Sequence, residues 1–224
     1  TVPRMRKRLS DYAEGDIVHF NEGGVIADFY VACHDYESGL NGTGRTLLVR
    51  KDCFREDKLK TGYPSNENAY ANSYGDNWLN TNYISLLALG SNVDIPETTF
   101  YYTHGYDVDT EITDMTVSTL TRKVFLLSAT ELGKGIETHQ TTCNIEGSVL
   151  PIASLLEYAQ LDGENISYWT RSPKTDTTST IWVIRGTDAV LAYGATSSGV
   201  RPAFTLPSNT RFDEETSEFV GVPS

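Results

Sequence analysis

Short β-prone runs separated by turn residues make up most of this chain, and only one stretch carries a helix signal. Asp16–Phe20 and Phe29–Ala32 flank Asn21-Glu22-Gly23-Gly24, a pattern that predicts a hairpin. After a turn-rich stretch, Ser38–Arg45, another strand is expected at Thr46–Arg50, and Asp52–Tyr74 reads as polar and irregular. The helix is expected next. Asp76 or Asn77 can cap it, Trp78, Leu79, Ile84, Leu86, Leu87 and Leu89 supply an apolar face, and Gly90 stops it. Thr98–Thr103 and Leu120–Leu127 read as strands around an acidic loop, Gly105–Asp114, with Val124–Leu127 apolar enough for a central strand. One helical turn is expected at Ala129–Gly133 and a short helix or loop at Ser148–Tyr158. From Ile166 the pattern is strand, turn, strand, turn, strand, with turns near Lys174–Thr178, Gly186-Thr187-Asp188 and Ser197-Ser198-Gly199. Beyond Phe212 the tail is acidic and polar and is expected to fray.

Composition narrows the function classes. The chain has 224 residues, enough for one large domain with a real core, and its aromatic content of 11% suits a β-rich protein. A net charge of −12 argues against nucleic acid, whose phosphates need clustered Lys and Arg. Basic residues do gather at Arg4, Arg6, Lys7 and Arg8, where a solvated arm is the expectation, and Thr1-Val2-Pro3 reads as an internal cut. No apolar run approaches the roughly 20 residues of a membrane span. Cys33, Cys53 and Cys143 lack metal-pair spacing and read as reduced thiols, with a Cys33–Cys53 disulfide as the alternative. His19, His34, His104 and His139 have no ligand spacing, so neither metal nor cofactor is expected. Asp107–Glu111 lacks the glycine and spacing of an EF-hand, and no catalytic triad or phosphate loop stands out.

Four ordered motifs carry a family resemblance: Asp76-Asn77-Trp78-Leu79-Asn80; Val124–Ser128 with Glu131; Trp169-Thr170-Arg171-Ser172-Pro173; and Gly199-Val200-Arg201-Pro202-Ala203-Phe204. Together they resemble an uncharacterised domain family of bacteria and prophages that looks like a branch of the C-type-lectin-like fold, some members being variable proteins of diversity-generating retroelements. The resemblance implies an α+β fold, with antiparallel strands, one or two main helices and long loops. It divides the chain into an N-terminal arm (residues 1–11), a lectin-like domain (12–207) and a polar tail (208–224). It implies a receptor-recognition domain of a phage tail or bacterial surface protein, not an enzyme. The partner would be a cell-surface protein or glycan, with homo-oligomerisation left open; the alternative is a structural virion decoration or fibre domain. Within the motifs, Trp78 and Leu79 should pack on the sheet, Asn80 should satisfy buried backbone, and Arg171 or Arg201 should bond loop carbonyls or a carboxylate such as Glu131.

The binding face is expected between the last two motifs. Residues 175–199 contain no Glu, Lys, Gln, Met or Asn, and the types present other than Trp182 are reachable by mutating the adenines of an asparagine codon. That restricted alphabet fits a diversified segment, and it equally fits an ordinary hairpin rich in Thr, Val and Gly. Alternation sets Ile181, Val183 and Arg185 against Trp182 and Ile184, without saying which set points out. The expected exposed contacts are Trp182, Ile184, Arg185, Asp188, Val190, Tyr193, Thr196 and Ser197.

Overall fold

A computed structural model describes residues 6–60, 66–134 and 143–221. Along the chain come β1 (Lys7–Arg8), a 3-10 turn (Leu9–Asp11), β2 (Ile17–Glu22), β3 (Val25–His34), a one-turn helix α1 (Ser38–Asn41), β4 (Arg45–Arg50) and β5 (Arg55–Lys58). The one long helical stretch begins as α2 (Tyr74–Trp78), widens to a π-turn (Leu79–Tyr83) and tightens to 3-10 (Ile84–Leu86) before β6 (Leu87–Ala88). A long ribbon of β7 (Thr98–Asp107) and β8 (Ile112–Arg122) follows, then a 3-10 turn (Ala153–Leu156) and the small hairpin β9 (Ala159–Leu161) and β10 (Glu164–Ile166). The last third holds β11 (Tyr168–Pro173), β12 (Thr180–Arg185), β13 (Asp188–Tyr193), β14 (Ser197–Val200), β15 (Ala203–Pro207), β16 (Arg211–Asp213) and β17 (Glu218–Val220).

Two five-stranded sheets organise these elements. The first, in order β15-β4-β3-β2-β6, is antiparallel throughout, and the second runs β13-β12-β11-β14-β5, with β11 and β14 parallel. The chain passes from one sheet to the other twice at the same place, once between β4 and β5 and once between β14 and β15. Arg201 pins that crossing. Its fully buried guanidinium donates to the Arg50 carbonyl at 2.9 Å, to the Leu156 carbonyl at 2.9 Å and to the Lys51 carbonyl, and lies over the Tyr168 ring. Buried carbonyls need donors, and one guanidinium here serves three. The main core includes Phe20, Phe29, Phe204, Leu47, Val49, Trp169 and Ile181 from both sheets, with Leu79 and Tyr83 from the helical stretch.

The α+β lectin-like expectation is overturned. Strand accounts for 45% of the chain and helix for 12%, and one helical stretch of any length is present among the described residues. Much of what reads as loop is strand. Arg55–Lys58 lies inside the supposed irregular stretch, yet pairs residue for residue with Ser197–Val200. The acidic loop expected at Gly105–Asp114 shrinks to a turn because β7 continues to Asp107 and β8, with a bulge at Met115-Thr116, pairs with it from Ile112. Conversely, Val124–Leu127 is fully buried but belongs to neither sheet, making a single bridge between Phe125 and Ala203. Side chains supply its missing ladder: Asn80 bonds the Val124 amide and carbonyl, the Tyr70 hydroxyl accepts from the Leu126 amide, and Arg171 donates to the Leu126 carbonyl.

Other boundaries move for local reasons. Ser73, not Asp76 or Asn77, caps the helix, its hydroxyl accepting from the Asp76 amide at 3.1 Å. Asp76 instead turns inward to bond Arg122 and the Asn72 amide. The third turn falls at Gly194–Thr196, so Ser197-Ser198-Gly199 is strand β14 rather than a turn. Nor does the tail fray up to Gly221: β16 and β17 form a hairpin that pairs with β1 and buries Phe212 and Phe219. The three cysteines are free, and burial pushes the Cys33, Cys53 and Cys143 thiols up to about 12. Arg4, His139 and Thr1-Val2-Pro3 lie outside the described residues.

Candidate functional site

The β12–β13 hairpin is held from one side by a buried polar frame. Arg171, in the middle of β11, forms a two-pronged ion pair with Glu131 at 2.8 and 3.1 Å, with both side chains completely buried. Glu131 also accepts from the Tyr36 hydroxyl and the Ser128 amide, while Arg171 reaches the Tyr101 carbonyl at 2.9 Å. One residue along, the Thr170 hydroxyl donates to the Trp182 carbonyl at 2.7 Å, and the Trp169 indole donates to the Asp57 carbonyl at 2.8 Å. Asn68 closes the β11–β12 turn by donating to the Thr177 carbonyl at 3.0 Å and accepting from the Tyr106 amide at 2.9 Å. The motif residues therefore build the frame, as their pairing requirements imply.

Glu146 is the odd member of that frame. It is fully buried, accepts from the Thr103 amide at 2.7 Å and from the Ser172 hydroxyl, and has no ion-pair partner of its own among the described residues. Burial pushes its carboxyl up to about 7, and the nearby Arg171 only partly opposes that rise. A raised carboxyl pKa means that the folded state holds a proton that the unfolded chain has released. Stability is therefore full below the ordinary carboxylate range and declines as pH rises from about 4.5 towards 7, by up to about 1.4 kcal/mol per pH unit. Thermal melts between pH 5 and 7.5 should show that decline in the wild type and a shallower one in Glu146→Gln, where Glu37 and Asp76, both also pushed up by burial, still contribute. Equal slopes in the two proteins would exclude Glu146 as its source.

The expected contact residues separate into three groups. Trp182 and Ile184 are buried, 5% and 0% exposed, which corrects their assignment to an outer face. The physical reason is that β12 is covered on both sides: Ile181, Val183 and Ile184 enter the main core, and Trp182 packs against Ala129 and Cys143. Arg185 and Asp188 are exposed at the hairpin tip, facing each other across the two-residue turn Gly186-Thr187. Tyr193, Thr196 and Ser197 are exposed at the far end of β13, and Val190 between them is half-buried. Five residue steps of about 3.3 Å each, from Asp188 to Tyr193, separate the two exposed groups, so one small ligand does not touch both.

The tip group opens onto a cleft. A groove of about 270 Å³ lies between the hairpin turn and β10, walled by Tyr158, Asn165, Ser167, Arg185, Thr187 and Asp188. Gly186 lies against the Tyr158 ring, with φ of +61°, and a β-carbon there would stand 2.9 Å from the ring. Tyr158 is 54% exposed, and neither Arg185 nor Asp188 has a side-chain partner among the described residues. Sequence reasoning missed Tyr158, Asn165 and Ser167. They come from a preceding hairpin, and only their position after a helical turn and beside Tyr168 hinted at proximity. A larger cleft of about 380 Å³ lies on the other side of the β9–β10 hairpin, lined by Asp28, Arg50, Lys51, Asp52 and Asp162. Two of its charges are already engaged: Arg50 with Glu22 and the Cys53 carbonyl, and Asp52 with the Gln160 amide.

A β-rich domain with a polar-framed hairpin and a shallow groove at its tip is what these features define. The chain belongs to DUF6273, a domain family of unknown function, which it matches over residues 43–208. That span begins just before β4 and ends just after β15, two strands that pair with each other in the first sheet. No curated protein and no solved structure matches the chain.

Proposed function

We propose that this domain is a non-catalytic recognition module, in a phage tail or bacterial surface protein, whose ligand face is the tip of the β12–β13 hairpin. The observation that carries the reading is the contrast between the hairpin's two sides. Every residue of β11 and most of β12 are buried in a satisfied frame, whereas Arg185, Asp188 and Tyr158 converge on an open groove with no side-chain partner among the described residues. A cation, an anion and an exposed tyrosine around one concavity suit a polar ligand such as a glycan or a peptide loop. The placement also fits a diversified hairpin. Trp182, the residue that adenine mutagenesis of an asparagine codon cannot produce, is buried, while Arg185, Thr187 and Asp188 at the tip are exposed and reachable.

The test is attachment to cells or to an immobilised glycan and protein array. The Tyr158→Ala, Arg185→Ala, Asp188→Ala variant should keep the wild-type melting temperature and lose attachment by at least tenfold. Full attachment by the folded triple variant would move the assignment to a structural part of a virion. Diversification has its own check in the neighbouring DNA, which should hold a near-copy of the segment coding residues 175–199 that differs only at adenines.

A further inference from the structure

We propose that the free edge of β13 pairs with the β13 of a second copy of this chain, joining the two domains into a continuous antiparallel sheet about a two-fold axis. This goes beyond the recognition reading and does not depend on it. β13 is the terminal strand of its sheet, and among the described residues nothing pairs with its outer side. The direction of its backbone groups follows from the turn. A two-residue loop makes Arg185 and Asp188 a hydrogen-bonded pair, and bonded pairs alternate along an antiparallel ladder. Val190 and Ala192 therefore bond inward to β12. Ala189, Leu191 and Tyr193 turn their amides and carbonyls outward, and among the described residues only the Tyr193 carbonyl of these groups has a partner, accepting from the Thr196 amide at 2.9 Å and the Thr196 hydroxyl at 2.7 Å.

Natural edge strands are guarded by lysine, proline, a bulge or an inward charge. Asp188-Ala189-Val190-Leu191-Ala192-Tyr193 has none of these beyond its first residue, and its ladder with β12 runs without a register shift. The long strand β8 differs: it carries Asp114, and it bulges, setting Met115 and Thr116 opposite the single residue His104 of β7. The β13 sequence is also complementary to itself. When Leu191 sits on the two-fold opposite its own copy, the small Ala189 lies opposite Tyr193 of the second copy, and Val190 lies opposite Ala192. Leu191 and Tyr193, 41% and 46% exposed, would cover each other's apolar surface on one face. No charge faces a like charge within the paired stretch, because Asp188 falls opposite Gly194. The partner is a second copy rather than an unrelated strand because this register satisfies the edge using the chain's own residues alone.

The net charge of −12 opposes association, so the dimer should be weak at low ionic strength and strengthen as salt screens the repulsion. Sedimentation at increasing protein concentration should show mass rising towards a dimer, more steeply in 0.5 M than in 0.05 M salt. Leu191→Lys, which sets two ammonium groups face to face at an exposed site, should remain monomeric with an unchanged melting temperature. Leu191→Cys should form an intermolecular disulfide on mild oxidation, since directly opposed residues of a bonded pair lie about 5.5 Å apart between α-carbons. A wild type that stays monomeric at the highest concentration and salt overturns the proposal. So does a dimer that survives Leu191→Lys, or one in which Leu191→Cys fails to cross-link.

Discussion

Arg171→Ala is expected to cost about 3–5 kcal/mol, a large part of the roughly 5–15 kcal/mol that holds a typical domain together. The guanidinium is fully buried and satisfies Glu131, the Leu126 carbonyl and the Tyr101 carbonyl while lying 4.6 Å from the Phe100 ring centroid. Removing it leaves the Glu131 carboxylate buried with only the Tyr36 hydroxyl and the Ser128 amide to solvate it. It also strips donors from β7 and from the 124–127 run, which has no ladder of its own. Arg171→Lys should be nearly as damaging, since one ammonium does not reproduce the planar fork. The double variant Arg171→Met, Glu131→Leu should be less damaged than Arg171→Ala, because the orphaned charge is removed with its partner. Urea unfolding measures all three, and a loss below about 1 kcal/mol for Arg171→Ala would show that the pair is not the anchor of the hairpin.

That pairing was legible in the sequence in a way the fold class was not. An arginine inside a strand-like motif has to meet a carboxylate or carbonyls, and Glu131, Leu126 and Tyr101 supply them. Asn80 followed the same logic, with its amide bonding both polar groups of Val124. The outer face of the hairpin did not. Period-two alternation identifies an exposed face only when one side meets water, and β12 is covered on both. The exposed positions fall instead at the turn and on the edge strand, where topology rather than alternation decides. The β content was hidden for a related reason. Arg55–Lys58 has no β-prone residue, and it becomes a strand through pairing with Ser197–Val200, far along the chain. Tyr158 was equally invisible, since no spacing rule connects it to Gly186 against its ring.

Phe219→Ala is expected to cost about 3–5 kcal/mol, lowering the melting temperature by roughly 6–20 °C, although its segment reads as a polar tail. The phenylalanine is 1% exposed and packs against Phe20 and Phe212, with ring centroids 5.3 and 5.0 Å apart. Gly90 makes that docking possible. It has φ of +130°, and a β-carbon there would stand 2.1 Å from the Phe219 carbonyl oxygen, so the β17 backbone lies directly on it. The Phe219 amide donates to the Leu89 carbonyl at 2.6 Å, and Gly221 meets the Asn92 carbonyl just as closely. In the sequence Gly90 reads as a helix stop; in the fold it is the seat of the C-terminal strap. Gly90→Ala should therefore lift the strap and act much like the loss of Phe219 itself. The two changes should not add: once the strap is displaced, Phe219 has little burial left to lose, and the double variant should lie within about 1 kcal/mol of the worse single one. Limited proteolysis gives an independent readout, with cleavage inside residues 213–221 appearing in Gly90→Ala before global unfolding. Additive losses, or a protected strap in Gly90→Ala, would place the origin of the tail's stability elsewhere than this backbone contact.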